Sequence, residues 1–326
     1  LSYQWFKNGT AVANATNSTL NFASATAADS GDYTVVIRNS LGFATSDTVH
    51  LGVDETPRFI NIATRALAGR ADAPLIAGFV VAGPGNKRVM IRAVGPTLSD
   101  AFGLAGTLAD PVLAVYNSAG ALVYTNDDWA TTNDIPGIAS AGVRLGAFTL
   151  TGNSADAACI LTLQPGGYTA VVTGKNGATG IALVEVYEDD NNSARLTNLS
   201  SRAYVGTGGS VAIPGIVVRG GSAAKKLLVR AVGPGLTAFG VPSVLADPIL
   251  TITDSTGTVV ATNDNWQTAA NLADLTAATA RVTFPLAAGS KDAALFVTLP
   301  PGGYTVQVSG VANATGNALV EVYELP

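Results

Sequence analysis

Arg92-Ala93-Val94-Gly95-Pro96 returns as Arg230-Ala231-Val232-Gly233-Pro234. Four further stretches recur with it. Ala109-Asp110-Pro111 returns as Ala246-Asp247-Pro248, and Thr125-Asn126-Asp127-Asp128-Trp129 as Thr262-Asn263-Asp264-Asn265-Trp266. Pro165-Gly166-Gly167-Tyr168-Thr169 returns as Pro301-Gly302-Gly303-Tyr304-Thr305, and Val184-Glu185-Val186-Tyr187-Glu188 as Val320-Glu321-Val322-Tyr323-Glu324. The offset is 138 residues at Arg92, 137 at Asp110 and 136 at Tyr168. Such a drift means single-residue loop deletions inside one preserved fold. Two copies of one unit therefore fill most of the chain. They predict domains at 58–189 and 195–326, each of ordinary domain size, with a junction near Asp189-Asp190-Asn191-Asn192.

Each copy reads as short strands. Leu113 to Tyr116, the turn Asn117-Ser118-Ala119-Gly120 and Leu122 to Tyr124 carry a hairpin signature, repeated by Leu250 to Thr253, Asp254 to Gly257 and Val259-Val260. A Pro-Gly-Gly turn precedes Tyr168 to Val172 in one copy and Tyr304 to Val308 in the other. Strands at this spacing argue for a sandwich or jelly roll. Of 326 residues, 36 are Gly, 13% are charged and 48% are hydrophobic. This composition suits strands joined by tight turns. No long stripe of period 3.6 appears, so the chain reads as all-β.

Residues 1–53 form a third unit. Tyr3 to Phe6 alternates as a strand, Lys7-Asn8-Gly9-Thr10 turns, and Asp29-Ser30-Gly31-Asp32-Tyr33 leads into Thr34-Val35-Val36. Val53-Asp54-Glu55-Thr56-Pro57 is the expected linker to the repeats.

This first unit resembles an I-set immunoglobulin domain over some 50 residues. Trp5 matches the core tryptophan of strand C, and Asp29-x-Gly31-x-Tyr33 matches the tyrosine corner. Val35 stands where the second core cysteine is usual. The resemblance implies a sandwich lacking the strands before C, with open edges at Tyr3 and Trp5. The repeats resemble those of large surface proteins of environmental bacteria, through Gly78-Phe79-Val80-Val81, Asn198-Leu199-Ser200-Ser201-Arg202 and the recurring motifs above. More loosely they resemble jelly-roll appendages of secreted peptidases. Neither family carries a catalytic centre in the repeat, so a binding or structural role is implied. The expected fold is an incomplete Ig-like sandwich followed by two homologous β-sandwich or jelly-roll domains.

The net charge of −5, with 18 Lys and Arg spread thinly, disfavours nucleic acid. No apolar run approaches the ~18 residues of a membrane span. The leading Leu1 predicts residues before it. Low charge with abundant Thr, Asn and Gly suits secreted bacterial β-proteins, so an extracellular or cell-surface location is expected.

Candidate chemistry is sparse. The single His50 sits at a strand end without a G-x-S-x-G elbow to serve. Cys159 aligns with Leu295, which marks a core position. Asn126, Asp127 and Asp128 with Asp110, and Asn263 and Asp264 with Asp247, form oxygen-rich loops that could hold Ca²⁺. The competing reading is turn capping. Arg92 and Arg230 lie in apolar strands and need buried carboxylate partners, for which Asp110 and Asp247 are the expected choice. Glu185 and Glu188, i and i+3 on a strand, face opposite sides and do not read as a glycosidase pair. Trp129 and Trp266 could stack on a glycan or seal the sandwich ends. Asn-x-Ser/Thr sequons stand at Asn8, Asn14, Asn17, Asn191, Asn198 and Asn313.

The resulting expectation is a non-enzymatic extracellular protein, a filament or surface-layer subunit. Copies of itself would complete the open Ig-like module by strand addition. The alternative is an adhesion or carbohydrate-binding C-terminal region of a larger secreted protein.

Overall fold

The computed structural model describes residues 1–22, 25–53, 58–70, 72–132, 134–221, 223–282 and 284–325, with 58–60 as backbone. The expected linker lies, beyond Val53, outside the described residues. The chain divides into two compact units, Leu1–Pro57 with Gly220–Ala223, and Arg58–Arg219 with Ala224–Pro326.

The first unit is one antiparallel sheet. Its strands are β1 (Ser2–Lys7), β2 (Thr10–Ala11), β3 (Gly31–Asn39), β4 (Gly42–Thr45) and β5 (Val49–Leu51). The order is β2-β1-β3-β4, with β5 also on β3. Asn8 and Gly9, both at positive φ (49° and 77°), make the turn between β1 and β2.

In the second unit the first copy holds β6 (Arg58–Ala68), β7 (Leu75–Ala82), β8 (Lys87–Val94), β9 (Pro111–Asn117), β10 (Leu122–Asn126), β11 (Ala157–Leu163), β12 (Gly166–Gly174) and β13 (Gly180–Glu188). The second copy repeats them as β14 (Arg195–Val205), β15 (Ile213–Arg219), β16 (Lys225–Val232), β17 (Pro248–Asp254), β18 (Val259–Asn263), β19 (Ala293–Leu299), β20 (Gly302–Gly310) and β21 (Gly316–Glu324). Copy one forms two sheets, β11-β8-β13-β6 and β7-β12-β9-β10. Copy two forms β19-β16-β21-β14 and β15-β20-β17-β18. Each copy is thus a double-sheet jelly roll.

The two copies, expected at 58–189 and 195–326, lie in one compact unit. β6 continues into β15 in one layer, and β14 into β7 in the other. Edge strands carry rows of unpaired N–H and C=O groups. Here the edges of one copy satisfy those of the other, so both layers run through both copies. Thr64 and its repeat equivalent Ser201 share a buried hydrogen bond of 2.6 Å, which marks the approximate two-fold axis between copies. A single apolar core spans the seam, from Leu113 and Val172 through Ile62, Leu199 and Ile216 to Leu250 and Val308.

Short helices appear where the periodicity gave none: α1 (Pro96–Phe102), α2 (Ile135–Leu145) and α3 (Leu272–Thr279). Local chemistry explains α2. The Asp134 side chain accepts from Gly137 N at 3.0 Å, and Gly146 closes the helix at φ 73°. At 11 residues it is too short to declare a stripe against its neighbours. These insertions cover the outer faces of two half-layers, α2 through Trp129, Ile138 and Leu150, and α3 through Trp266, Leu275 and Leu286.

Candidate functional site

The Arg-Ala-Val-Gly-Pro motif builds a buried polar cluster in each copy. Arg92 is 2% exposed and Arg230 0%. Arg92 lies directly opposite Glu185 across β8 and β13, and Arg230 opposite Glu321 across β16 and β21. Arg92 Nε donates to Glu185 Oε2 at 2.8 Å and Nη1 to Phe148 O at 2.6 Å. Arg230 does the same to Glu321 Oε2 at 3.0 Å and Phe284 O at 2.7 Å. Each guanidinium also lies over its phenylalanine ring, 4.4 Å from the centroid. Tyr187 and Tyr323 hydroxyls donate to the other carboxylate oxygens at 2.7 and 2.6 Å. Burial and the neighbouring Glu185 charge push the Tyr187 phenol pKa up. The expected partners Asp110 and Asp247 are therefore wrong. Directly opposed residues on paired strands are side by side, whereas Asp110 precedes a strand of the other sheet.

The same motif's glycines are set by close approach. A Cβ on Gly95 would sit 2.0 Å from Leu108 O, and one on Gly233 2.0 Å from Leu245 O. A buried carboxylate then ties the turn. Asp156, fully buried, accepts from Gly95 N at 2.7 Å, Ser154 Oγ at 2.6 Å and the Thr97 hydroxyl. Asp292 accepts from Gly233 N at 2.8 Å, Gly235 N at 3.2 Å and Ser290 Oγ at 2.9 Å. Sequence reasoning passed over both. Their signal was the recurrence of Ser154-Ala155-Asp156-Ala157-Ala158 as Ser290-Lys291-Asp292-Ala293-Ala294.

In the Asn-Asp loops the asparagines cap the turns and lysines reach the carboxylates, while Asp110 Oδ1 and Asp247 Oδ1 are buried without a hydrogen-bond partner among the described residues. Asn126 Oδ1 accepts from Ala158 N at 2.9 Å and its amide donates to Asp128 O at 3.0 Å. Asn263 repeats this with Ala294 N at 3.0 Å and Asn265 O at 2.9 Å. The Lys175 ammonium lies 3.3 Å from Asp110 Oδ2 and 3.1 Å from Asp127 Oδ2, between the two carboxylates that would share a cation. Hydrogen bonds to Asp127 and Asp110 raise the Lys175 pKa. In the second copy Lys291, from a different loop, pairs with Asp247, and Asp264 is exposed. Among the described residues no three His, Cys, Asp or Glu groups converge to hold a metal ion. Clefts of about 420 and 790 Å³ border the two loops, the first lined by Tyr124, Thr125 and Asp127, the second by Thr262, Asp264 and Asn271.

Trp129 and Trp266 are each 8% exposed. Trp129 Nε1 donates to Ser154 Oγ at 3.2 Å, and Trp266 Nε1 to Ala287 O at 3.1 Å. Each ring packs between its sheet's outer face and the α2 or α3 insertion, which leaves little of it open for stacking on a sugar.

The remaining carboxylates of the recurring Val-Glu-Val-Tyr-Glu motif are also paired. Glu188 accepts from Leu196 N at 2.6 Å and meets the fully buried Lys87 at 3.2 Å, and Glu324 pairs with Lys225. The junction at Asp189-Asp190 is likewise built in: Asp190 holds Lys87 Nζ at 2.8 Å, and Asp189 pairs with Arg88 at 3.3 Å. Cys159 is buried in the core, and desolvation pushes its thiol pKa up to about 12, so thiolate is scarce at neutral pH. His50 Nδ1 meets Asp32 Oδ1 at 2.7 Å on an exposed strand pair.

In the first unit, the register pairs Tyr3 with Ile37, Trp5 with Val35, Lys7 with Tyr33, and Tyr33 with Val49. Opposed residues share a face. Tyr3, Trp5, Val35, Ile37 and Val49 therefore share one face with Tyr33, and Lys7 stands at its end. Among the described residues of 1–53, Tyr33 is the only buried one, at 6%, while Val49 is 67% exposed. Tyr33 Oη donates to Asp29 O at 2.7 Å and its ring meets Phe22 edge-on at 5.8 Å. Trp5 Nε1 donates to Asn17 O at 3.0 Å.

No protein-family model and no curated protein matches the chain. Among solved structures it is similar to a DUF4785 family protein of Legionella pneumophila, at 7% identity over 84% of both chains with a TM-score of 0.20. A likeness that weak carries no argument about fold or function. No helix among the described residues is long and apolar enough to cross a membrane.

Proposed function

We propose that this chain is a non-enzymatic structural protein of the bacterial cell exterior, assembled from copies of itself. The sheet of residues 1–53 takes its second layer from β-strands of a neighbouring copy, which joins subunits head to tail. The observation that carries this reading is the apolar face of that sheet, where among the described residues only Tyr33 is buried, Trp5, Val35 and Ile37 are half-buried and Val49 is exposed. A sheet needs a second layer over its apolar face, and strand addition from another chain is a known way to supply one. The tyrosine-corner hydrogen bond at 2.7 Å supports an Ig-like module, the kind of sandwich that would take such a layer. Heterologous contacts of this kind extend as fibres unless the rotation closes. The paired jelly rolls suit a load-bearing body, because both layers run unbroken through both copies. Low charge and Thr- and Gly-rich strands support an exported protein.

Electron microscopy of the material released by its source tests this. Filaments whose map places strands of one subunit over Trp5 of the next are expected. Dispersed monomers, or a second layer supplied by the same polypeptide, would overturn the polymer. The latter result would favour an adhesion region of a larger secreted protein.

A further inference from the structure

The join between the copies creates a groove that neither copy has alone. Its floor is the bare outer face of the first copy, with Ile76 and Gly78 on β7. Its far wall is the second copy, with Leu236 and Phe239 from the turn after β16 and Phe284 from the insertion that carries α3. The volume is about 520 Å³, within the range of small-molecule sites. Phe239 is 62% exposed and meets Phe284 edge-on at 5.1 Å, so an apolar ring stands at the mouth. Gly78 keeps the floor low, since a Cβ there would fall 2.6 Å from Ser200 Oγ.

One charge faces this apolar space. Arg202, half-buried on β14, lines the groove, and its guanidinium has no ion pair or hydrogen bond among the described residues. The fully buried cations of this unit, Lys87, Arg92 and Arg230, have carboxylate partners. The hydroxyls of Ser200 and Thr169 flank it and could complete the coordination of an anion. The repeat reproduces the pattern. Arg65, the counterpart of Arg202, has a buried Nε without a hydrogen-bond partner among the described residues, and Phe102, the counterpart of Phe239, is 61% exposed. Ala63 stands where the second copy has Ser200.

We infer that the Arg202 groove binds a small amphiphilic carboxylate. The carboxylate pairs with the Arg202 guanidinium, and an aliphatic or aryl body lies between Ile76 and Phe239. A guanidinium is suited to this because its planar fork matches a carboxylate in two-point contact. No acidic side chain lines the groove, so the charge preference is for an anion.

Calorimetric titration of the full chain with decanoate below its micellar concentration tests the inference, with decanol as the uncharged comparison. Decanoate should bind at least about tenfold more tightly than decanol, the fold-change expected from a charge-assisted contact. Arg202→Gln should remove that preference with an unchanged melting temperature. Phe239→Ser, at an exposed position, should weaken decanoate binding without affecting folding. Absence of decanoate binding, equal binding of decanol, or undiminished binding by R202Q would each overturn it.

Discussion

Glu185→Gln removes one charge from the Arg92 cluster and almost no volume. The Arg92 guanidinium would stay buried at 2% exposure, with the Phe148 carbonyl and a neutral amide as its only oxygen partners. Breaking a buried ion pair from one side costs about 3–5 kcal/mol, because the remaining charge is uncompensated. For a unit of this size each kcal/mol lowers Tm by about 2–4 °C, so the drop should be roughly 6–20 °C. Asp110→Asn is the contrasting change. Its pair with Lys175 is surface-exposed, at 31% and 41%, and should contribute at most about 1 kcal/mol. Urea unfolding followed by the emission of Trp129 and Trp266 reads both. Arg92→Met completes a double-mutant cycle, and the double variant should lose about 1–3 kcal/mol less than the sum of the singles. An E185Q effect below about 1 kcal/mol, or a D110N effect as large as E185Q, would refute the assigned partner.

Gly95→Ala should destabilise by about 3 kcal/mol or more, because its Cβ meets the Leu108 carbonyl at 2.0 Å. Gly142→Ala in α2, with nothing within 4 Å, should instead stabilise by about 0.5–1 kcal/mol in the same unfolding assay. The Asp29 carboxyl pKa is held below 3.8 by the backbone and side-chain hydrogen bonds from Thr26. A depressed folded-state pKa stabilises above the unfolded value and is lost as pH falls through the folded one. Residues 1–53 should therefore lose stability below about pH 3.8 in a way that Asp29→Asn abolishes, read by NMR of the Tyr33 region. Cys159 should resist iodoacetamide at pH 8 in the native state and react on unfolding in urea, since burial holds its thiol near 12. Glycans that quenched Trp129 or Trp266 emission in native protein would contradict their burial at 8%.

Recurrence made the buried side chains legible, but not their partners. Arg92 and Arg230 stood out as charges inside apolar strands. Choosing between Asp110 and Glu185 required the register of β8 against β13, because both acids recur with the arginine at similar offsets. In the Asp loops, oxygen-rich composition does not reveal whether a lysine from another loop lies among the carboxylates. Lys175 does so in the first copy, while Lys291 arrives from a different position in the second. The burial of the tryptophans was not legible either, since it is decided by the α2 and α3 insertions, whose short helices carry no long periodic stripe.

The sequence by itself determined the all-β class, the two copies, their hairpins and the turns that demand glycine, since each follows from local alternation, turn chemistry or self-similarity. Only the tertiary structure decided that the copies fuse through both layers. Strand edges are chemically alike, and nothing local says whether the edge of β6 that faces away from β13 stays open or pairs with β15 of the next copy. The same pairing set Arg202 of β14 beside Ile76 of β7 and opened the groove between them, a juxtaposition of residues 126 positions apart that no local pattern encodes.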